Sequence, residues 1–411
     1  MRVLKVRWLM LEKRRRIKFS IISRYEFVNV LLVSNAFVWY SFAFSILKRL
    51  IHELTLAIWS VHFVGAALSA IAGAAIGNRI HKRPFLAVWM MLGILSPLML
   101  VSINSPQSLL SILIMSLLFG ISFGLGVPSI IGCLADCTVI ENRAKLGGLT
   151  IFVYILGAFL LGIVVADDIT LQALALTIWR ALSLIIFLAT SPSSNAQIQR
   201  SGSFKSIFNQ RSFYLYFIPW TMFSLVNYIG GVVAFQILNE NTVNLFIMFE
   251  SVLIGIVAVI VGFLADEVGR KRITMVGFIM LGFGYAILGI YPENLFSWYF
   301  YTVADGVAWG IFWVIFVLTI WGDLSFGASS DKYYAIGGLP FYMSNFLRVL
   351  IGSYIAKVIS IYAIFSFAAL FLFLGVIPLM YAPETLPEKK LREKELKKYI
   401  EKAKKIKEKY V

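Results

Sequence analysis

The sequence has few cysteines, few histidines and little charge. Its 411 residues include 2 cysteines, 3 histidines and 14% charged residues, whereas an ordinary soluble domain carries about 25% charged residues. Cys133 and Cys137 have no further cysteine with which to complete a zinc site, so we expect no metal centre and no cofactor. With so little charge available, much of the surface of a folded chain of this size must be apolar.

Motifs that mark several other classes of protein are also missing. The nucleotide-binding pattern Gly-x-x-x-x-Gly-Lys-(Ser/Thr) does not occur, which argues against ATP-driven work within this chain. No histidine cluster or nucleophile constellation supports an enzyme. The formal net charge is +16, but the basic residues lie at the chain ends and in short loops, without a nucleic-acid-binding motif. We therefore expect neither enzymatic activity nor a nucleic-acid partner.

Apolar residues, by contrast, make up 60% of the sequence, and its mean hydropathy is +0.84. They occur in runs of about 20 residues, the length at which a helix crosses the hydrocarbon core of a bilayer. The runs predict twelve membrane spans. Spans 1 to 6 lie near residues 27–47, 54–76, 85–103, 108–132, 148–166 and 169–190. Spans 7 to 12 lie near residues 213–238, 243–264, 273–291, 295–320, 334–358 and 360–381.

Lysine and arginine are concentrated on one side of these spans. That side holds the basic segment 1–24, the loops that follow the even-numbered spans, and the lysine-rich C-terminal tail. The opposite side holds Lys48, Arg49 and Lys357. Because short cytoplasmic loops carry an excess of Lys and Arg, the sequence predicts a multi-pass protein of the cell membrane with both termini in the cytoplasm. Segment 1–24 lacks an apolar core with a small-residue cleavage site, so no cleaved signal peptide is expected.

An internal repeat relates the two halves of the chain. An offset of about 189 residues brings Gly73 onto Gly262 and places Asp136 near Asp323. The repeat predicts two pseudo-symmetric six-helix bundles in an all-α membrane protein. The predicted parts are a basic N-terminal segment (1–24), an N-terminal bundle (25–190), a cytoplasmic linker (191–212), a C-terminal bundle (213–381) and a charged tail (382–411).

The loop between spans 8 and 9 carries the most specific motif in the sequence. Its residues Gly262, Asp266, Gly269, Arg270 and Lys271 match the pattern Gly-x-x-x-Asp-x-x-Gly-Arg-(Arg/Lys). This loop resembles the signature loop of the major facilitator superfamily and occupies the place of that family's second copy. The resemblance implies two six-helix bundles, transport of a small solute by alternating access, a monomeric protein, and a loop that helps to close the cytoplasmic side.

The residues of this loop also have a direct physical interpretation. Gly262 permits close helix approach and Gly269 permits a tight reversal. We expect Asp266 to accept hydrogen bonds at a helix N-terminus, where a negative charge is stabilised. Arg270 and Lys271 are expected to pair with an acid at a neighbouring helix end, for which Asp323 is the candidate.

The first-half copy of the loop departs from the pattern. Gly73 is kept, but Gly77 stands at the position of the acid, and Lys82 and Arg83 retain the positive charge. The first loop therefore lacks the acid through which such a loop helps to close the cytoplasmic side in the family. This departure motivates an alternative function, a transport-inactive receptor or assembly partner that keeps the fold.

Ionisable residues inside the predicted spans are the candidates for solute contact. A central Arg or Asp costs roughly 2.5 to 3.5 kcal/mol on insertion scales, so each needs a partner or a wet cavity. The family resemblance implies that Glu250, Asp305 and Arg348 converge in the second half. Asp305 shares a helix face with Trp309, which suits a polar or cationic solute or a coupling proton, whereas the structural alternative is an ion pair with Arg348. Arg348 is expected either to bind an anionic solute or to neutralise Glu250 or Asp305. Arg180 lies in a supporting span and is interpreted as a packing charge.

Other polar and aromatic residues within the spans are weaker candidates for the same site: Asn35, Trp39, His62, Asn227, Tyr228 and Asn345. The function expected from the sequence is secondary transport of a small solute, either facilitated or driven by a gradient. A proton or another cation is the expected coupling ion, and the lipid bilayer is the expected surrounding.

Overall fold

The computed structural model describes residues 22–51, 55–77, 79–102, 108–165, 168–190, 202–325, 328–387 and 396, without the side chains of 55, 102 and 351–358. Most of the predicted N-terminal segment and of the charged tail, and residues 191–201 of the linker, lie outside the described residues. Within the described residues every regular element is a helix. Among these residues, eleven helical segments are long and apolar enough to cross a membrane, and two further helices form span 11. The all-α membrane fold predicted from the sequence is confirmed.

Eight spans are continuous α-helices. They are span 1 (Arg24–Leu50), span 2 (Thr55–Gly77), span 3 (Lys82–Ser102), span 5 (Arg143–Val165), span 6 (Ile169–Thr190), span 8 (Glu240–Val268), span 9 (Arg270–Ile290) and span 12 (Ile361–Tyr381). Two short helices, Ile140–Asn142 and Phe204–Phe208, precede spans 5 and 7. Span 1 begins at a capping box, in which Ser23 and Glu26 each accept a hydrogen bond from the other's backbone N–H.

The other four spans are interrupted. Span 4 consists of Leu109–Gly124 and Val127–Cys137, and span 7 of Arg211–Val226 and Ile229–Ile237. Span 10 runs through Leu295–Phe312, a π-helical segment Trp313–Thr319, and Ile320–Leu324, whereas span 11 consists of Ser330–Gly337 and Leu339–Val358. Proline near the start of the second helix contributes to two of the breaks, because Pro128 and Pro340 donate no backbone hydrogen bond. Interrupted helices free backbone groups that can contact a ligand.

The outer surface of the helices is apolar, as a lipid-facing surface requires. Val164 is 78% exposed, Leu110 67% and Val88 62%, whereas the backbone polar groups are paired inside helices.

The first half of the protein consists of spans 1–6 and the second half of spans 7–12. The two halves contact each other chiefly where span 5 packs on span 8 and where span 2 packs on span 11. Gly148 faces the backbone of Ala258, and a Cβ at Gly262 would lie 2.6 Å from the carbonyl oxygen of Ala144. Gly262 thus has the close helix approach expected from the sequence.

Candidate functional site

One end of the helix assembly carries a buried network of ion pairs between the two halves. Asp323 at the end of span 10 accepts a hydrogen bond from Arg143 NH1 at 2.6 Å and lies 3.0 Å from Arg270 Nε. Thr385 donates a hydrogen bond to the same carboxylate at 2.9 Å. Arg143 begins span 5, so this contact joins the first half to the second. We call Asp266, Arg270, Arg143 and Asp323 the second-loop latch.

Asp266 occupies the helix N-terminus expected from the sequence. Its carboxylate accepts hydrogen bonds from the backbone of Ala144 at 3.3 Å and of Lys145 at 2.9 Å, in the first turn of span 5. Arg270 NH2 donates to the same carboxylate at 2.9 Å, and both side chains are fully buried. A carboxylate at this place satisfies free N–H groups and interacts favourably with the helix dipole.

The turn between spans 8 and 9 has the geometry for which glycine is suited. Gly269 has φ 112°, a conformation that L side chains rarely adopt. Glu384, which sequence reasoning missed, accepts hydrogen bonds from the backbone of Arg270 at 2.9 Å and of Lys271 at 3.2 Å. The Lys271 ammonium donates to the carbonyl of Met380 at 2.7 Å, so Arg270, rather than Lys271, contacts Asp323.

The degraded first loop contacts an acid that comes from the other half. Lys82 at the start of span 3 donates to Asp331 in span 11 at 2.9 Å and lies 3.5 Å from Asp136. Ser129 donates to the second oxygen of Asp331 at 3.2 Å, and Ser330 donates to Asp136 at 2.7 Å. The first loop has no acid of its own at the Gly77 position, but Asp331 from span 11 places a carboxylate next to this loop. We call Lys82, Asp136 and Asp331 the first-loop latch.

A cavity of about 270 Å³ lies between the two halves. Twelve aromatic residues line it, including Phe37, Tyr40 and Tyr154 from the first half and Trp313 and Tyr342 from the second. No charged side chain occurs among its described lining residues. Its few polar contacts include the Ser41 and Tyr154 hydroxyls, which are hydrogen-bonded at 2.9 Å. We call it the aromatic cavity.

A second cavity of about 290 Å³ lies among spans 7, 8, 10 and 11. Seven of the residues predicted from the sequence line it: Glu250, Asp305, Arg348, Trp309, Asn345, Asn227 and Tyr228. We call it the acid cavity. Among the described residues, no ion pair within 4.0 Å joins Arg348 to either acid.

Asp305 is the most buried carboxyl group of the acid cavity. The residue is only 6% exposed, and its Oδ2 accepts a hydrogen bond from the Tyr301 hydroxyl at 2.9 Å. Its Oδ1 has no hydrogen-bond partner among the described residues. The Tyr301 hydroxyl lies 3.3 Å from that of Tyr285, which donates to the freed carbonyl of Val226 at the break in span 7. One carboxylate oxygen therefore remains available to a ligand or a proton.

The break in span 7 places two of the predicted residues at the cavity wall. Asn227 and Tyr228 separate the two helices of the span, and Asn227 Oδ1 accepts a hydrogen bond from Ser344 in span 11 at 2.7 Å. Tyr285 also accepts from the backbone N–H of Gly230 at 3.3 Å. Side chains from spans 9 and 11 thus satisfy backbone and amide groups around the interruption.

The structure does not bring Asn35, Trp39 and His62 to either cavity. Asn35 accepts a hydrogen bond from Arg180 at 3.2 Å and donates to the carbonyl of Trp179 at 2.9 Å. Trp39 donates to the carbonyl of Gly93 at 2.9 Å. These contacts hold spans 1, 3 and 6 together, away from both cavities.

The surroundings of Arg180 and His62 are those of packed interior groups. The Arg180 guanidinium lies 4.0 Å from the centroid of the Trp89 ring, a cation–π contact. His62 is fully buried, and its Nδ1 donates to the carbonyl of Ser116 at 3.0 Å, because a carbonyl oxygen can only accept. His62 Nε2 is then free to accept from the Tyr40 hydroxyl at 3.1 Å.

A family model of the Major Facilitator Superfamily matches residues 206–409. This region contains spans 7 to 12 and the intact signature loop. The chain belongs to the major facilitator superfamily. No curated protein matches the sequence significantly.

Solved structures of transporters share this fold over about nine-tenths of the chain. The proton:xylose symporter XylE bound to 6-bromo-6-deoxy-D-glucose matches with a TM-score of 0.66 and 14% identity, over 89% of this chain and 97% of that one. A double tryptophan mutant of XylE matches with a TM-score of 0.68 and 15% identity, over 91% and 99%. The human organic anion transporter MFSD10 matches with a TM-score of 0.62 and 13% identity, over 87% and 98%. The chain is a multi-pass membrane protein with the fold of superfamily transporters.

Proposed function

We propose that the protein moves a small solute across the cell membrane as a secondary transporter that works by alternating access. The observation that carries this proposal is a cavity between the two halves, with ion-pair latches joining those halves at one end. A site that opens to one side at a time needs contacts at one end that form and break. Both latches connect the first half to the second, so both must break when that end opens.

The latch end is the proposed cytoplasmic side. It holds the loops between spans 2 and 3 and between spans 8 and 9, where positive charge is concentrated. The conformation described here is closed at this end, because Asp266, Asp323 and Asp331 are each no more than 1% exposed. Solute would then enter the aromatic cavity from the other side. Separation of the latches would afterwards open the cavity to the cytoplasm.

Asp305 is the proposed contact for a solute or a coupling proton. Its alternative role is to pair with Arg348, but no such pair within 4.0 Å exists in this conformation of the described residues. A buried carboxylate with one unpartnered oxygen is costly when charged, and so it gains much from a proton or a cation. Whether transport is coupled or facilitated depends on which of these binds.

A transport-inactive protein is the competing proposal, and the degraded first loop motivates it. The Lys82–Asp331 contact argues against an inactive protein, because an acid still pairs with the first-loop region even though the loop lacks its own. The test is uptake of solute by the purified protein in vesicles, after a solute library has been screened by thermal stabilisation. Saturable counterflow of a stabilising solute is expected. Binding without any counterflow would contradict the transport proposal and favour a receptor.

A further inference from the structure

The two cavities lie next to each other and share part of their walls. Phe341 and Asn345, one turn apart in span 11, line both cavities. In span 10, Trp309 lines the acid cavity and Trp313 the aromatic cavity, and their ring centroids are 6.1 Å apart. A single elongated solute could therefore place one end in each cavity.

The two cavities differ in charge. The acid cavity has two carboxyl groups, Glu250 and Asp305, and one guanidinium, Arg348. An anion placed there would meet two carboxyl groups and one guanidinium, whereas a cation would have as a partner the Asp305 Oδ1, which lacks a hydrogen bond among the described residues. Asp305 also lacks a direct ion pair in the described residues, so a cationic ligand would supply the missing counter-charge.

The aromatic cavity has the surface that an apolar or cationic group prefers. The faces of tryptophan and tyrosine rings attract cations, and ring surfaces bind apolar groups. A sugar, by comparison, needs many polar partners for its hydroxyl groups. The aromatic cavity offers few such partners beyond Asn345, Ser41 and the tyrosine hydroxyls.

We propose that the two cavities together bind an amphipathic organic cation. Its charged group lies against Asp305 and Glu250, and its apolar body lies among the rings of the aromatic cavity. This assignment of a substrate class rests on the proposed transport function and concerns the same site. It also gives Asp305 a ligand of defined charge.

Three probes of similar size and different charge test the assignment with the full-length protein. They are benzyltrimethylammonium, a permanent cation; neopentylbenzene, its neutral isostere with carbon in place of nitrogen; and benzenesulfonate, an anion. Dissociation constants come from the ligand-dependent shift in thermal unfolding. We expect the cation to bind at least about tenfold more tightly than its isostere. Equal binding of cation and isostere, or preferred binding of the anion, would overturn the proposal.

Variants locate the charge that the probe meets. Asp305→Asn and Glu250→Gln are each expected to weaken binding of the cation by at least about tenfold and to leave the isostere within about twofold. Arg348→Gln should leave the cation bound at least as tightly as before. Asp168→Asn, which caps span 6 outside both cavities, is the matched control. If Asp305→Asn does not fold, Glu250→Gln and Arg348→Gln still test whether the carboxyl groups of the acid cavity bind the cation. Loss of binding in Arg348→Gln alone would contradict the proposal.

Counterflow in vesicles separates this inference from transport itself. Cation binding without exchange supports the substrate class and contradicts transport. Exchange of a sugar or an anion, with no cation-specific binding, supports transport and overturns the substrate class.

Discussion

Asp331→Asn is the sharpest test of the first-loop latch. Asparagine keeps the shape of the side chain, and its amide can still contact Lys82 and Ser129, so the main loss is the negative charge. A hydrogen bond to a charged group contributes about 1.5 to 3 kcal/mol. Because the Lys82 side chain is 29% exposed, we take the lower part of that range, about 1.5 to 2 kcal/mol.

This free energy stabilises only the conformation in which the latch end is closed. Its loss should raise the ratio of open to closed molecules by a factor of roughly 10 to 30. The effect is a change in population, because Asp331 lies in the second half and Lys82 in the first. Residues that stay together in both conformations would show no such effect.

The assay is alkylation of a single cysteine in the aromatic cavity by a membrane-impermeant reagent added from the latch side. Val317→Cys supplies that cysteine in a background with Cys133→Ala and Cys137→Ala. The rate should rise about 10- to 30-fold with Asp331→Asn and stay unchanged with Asp168→Asn, whose contacts remain within the first half. An unchanged rate in Asp331→Asn, with normal folding, would refute the latch.

Variants at three other positions test further contacts of the structure. Asp266→Asn should also increase alkylation from the latch side, because the N-terminus of span 5 loses its charged partner; unchanged alkylation and transport would leave the loop as a topological signal only. Asp305→Asn should abolish gradient-driven accumulation of solute and leave exchange measurable, whereas recovery of accumulation when Arg348 is neutralised as well would indicate a structural ion pair. Gly262→Leu should lower the thermal unfolding temperature or prevent folding, because its side chain meets the Ala144 backbone; Val252→Leu on the exposed face of the same span is the control.

The contacts of the second-loop motif could be predicted from sequence because the motif is local and its chemistry is specific. A glycine with φ 112° at Gly269, an acid at a helix N-terminus, and Arg270 beside Asp323 all follow from the residue types and their spacing. The twelve spans likewise follow from the length of the apolar runs.

The first-loop latch could not be predicted in the same way. Lys82 and Asp331 are 249 residues apart, and their contact depends on how span 11 packs on the first half. The sequence near Gly77 shows only that an acid is missing. Arg143 follows span 4, and its sequence position indicates only one more positive charge in a cytoplasmic loop, whereas its contact with Asp323 makes it part of the second-loop latch.

The candidate cavity residues show a second limit of sequence reasoning. Spans that are apolar on every side carry no periodic pattern to distinguish a cavity-facing side from a packed one. Asn35, Trp39 and His62 therefore resembled cavity residues, but their hydrogen bonds lie within the packed first half. For the same reason, the sequence did not predict the break in span 7 that places Asn227 and Tyr228 at the acid cavity.

Alternating access is tested most directly by distances between spin labels at the two ends of the protein. One pair of labels replaces the exposed residues Arg79 and Arg272 at the latch end, and a second replaces Lys48 and Glu240 at the other end, in a background with both cysteines replaced by alanine. Double electron–electron resonance then compares the protein with and without a stabilising solute. Our account predicts opposite changes, in which the Arg79–Arg272 distances lengthen as the Lys48–Glu240 distances shorten, or the reverse. Distances that stay fixed, or that lengthen together at both ends, would contradict it.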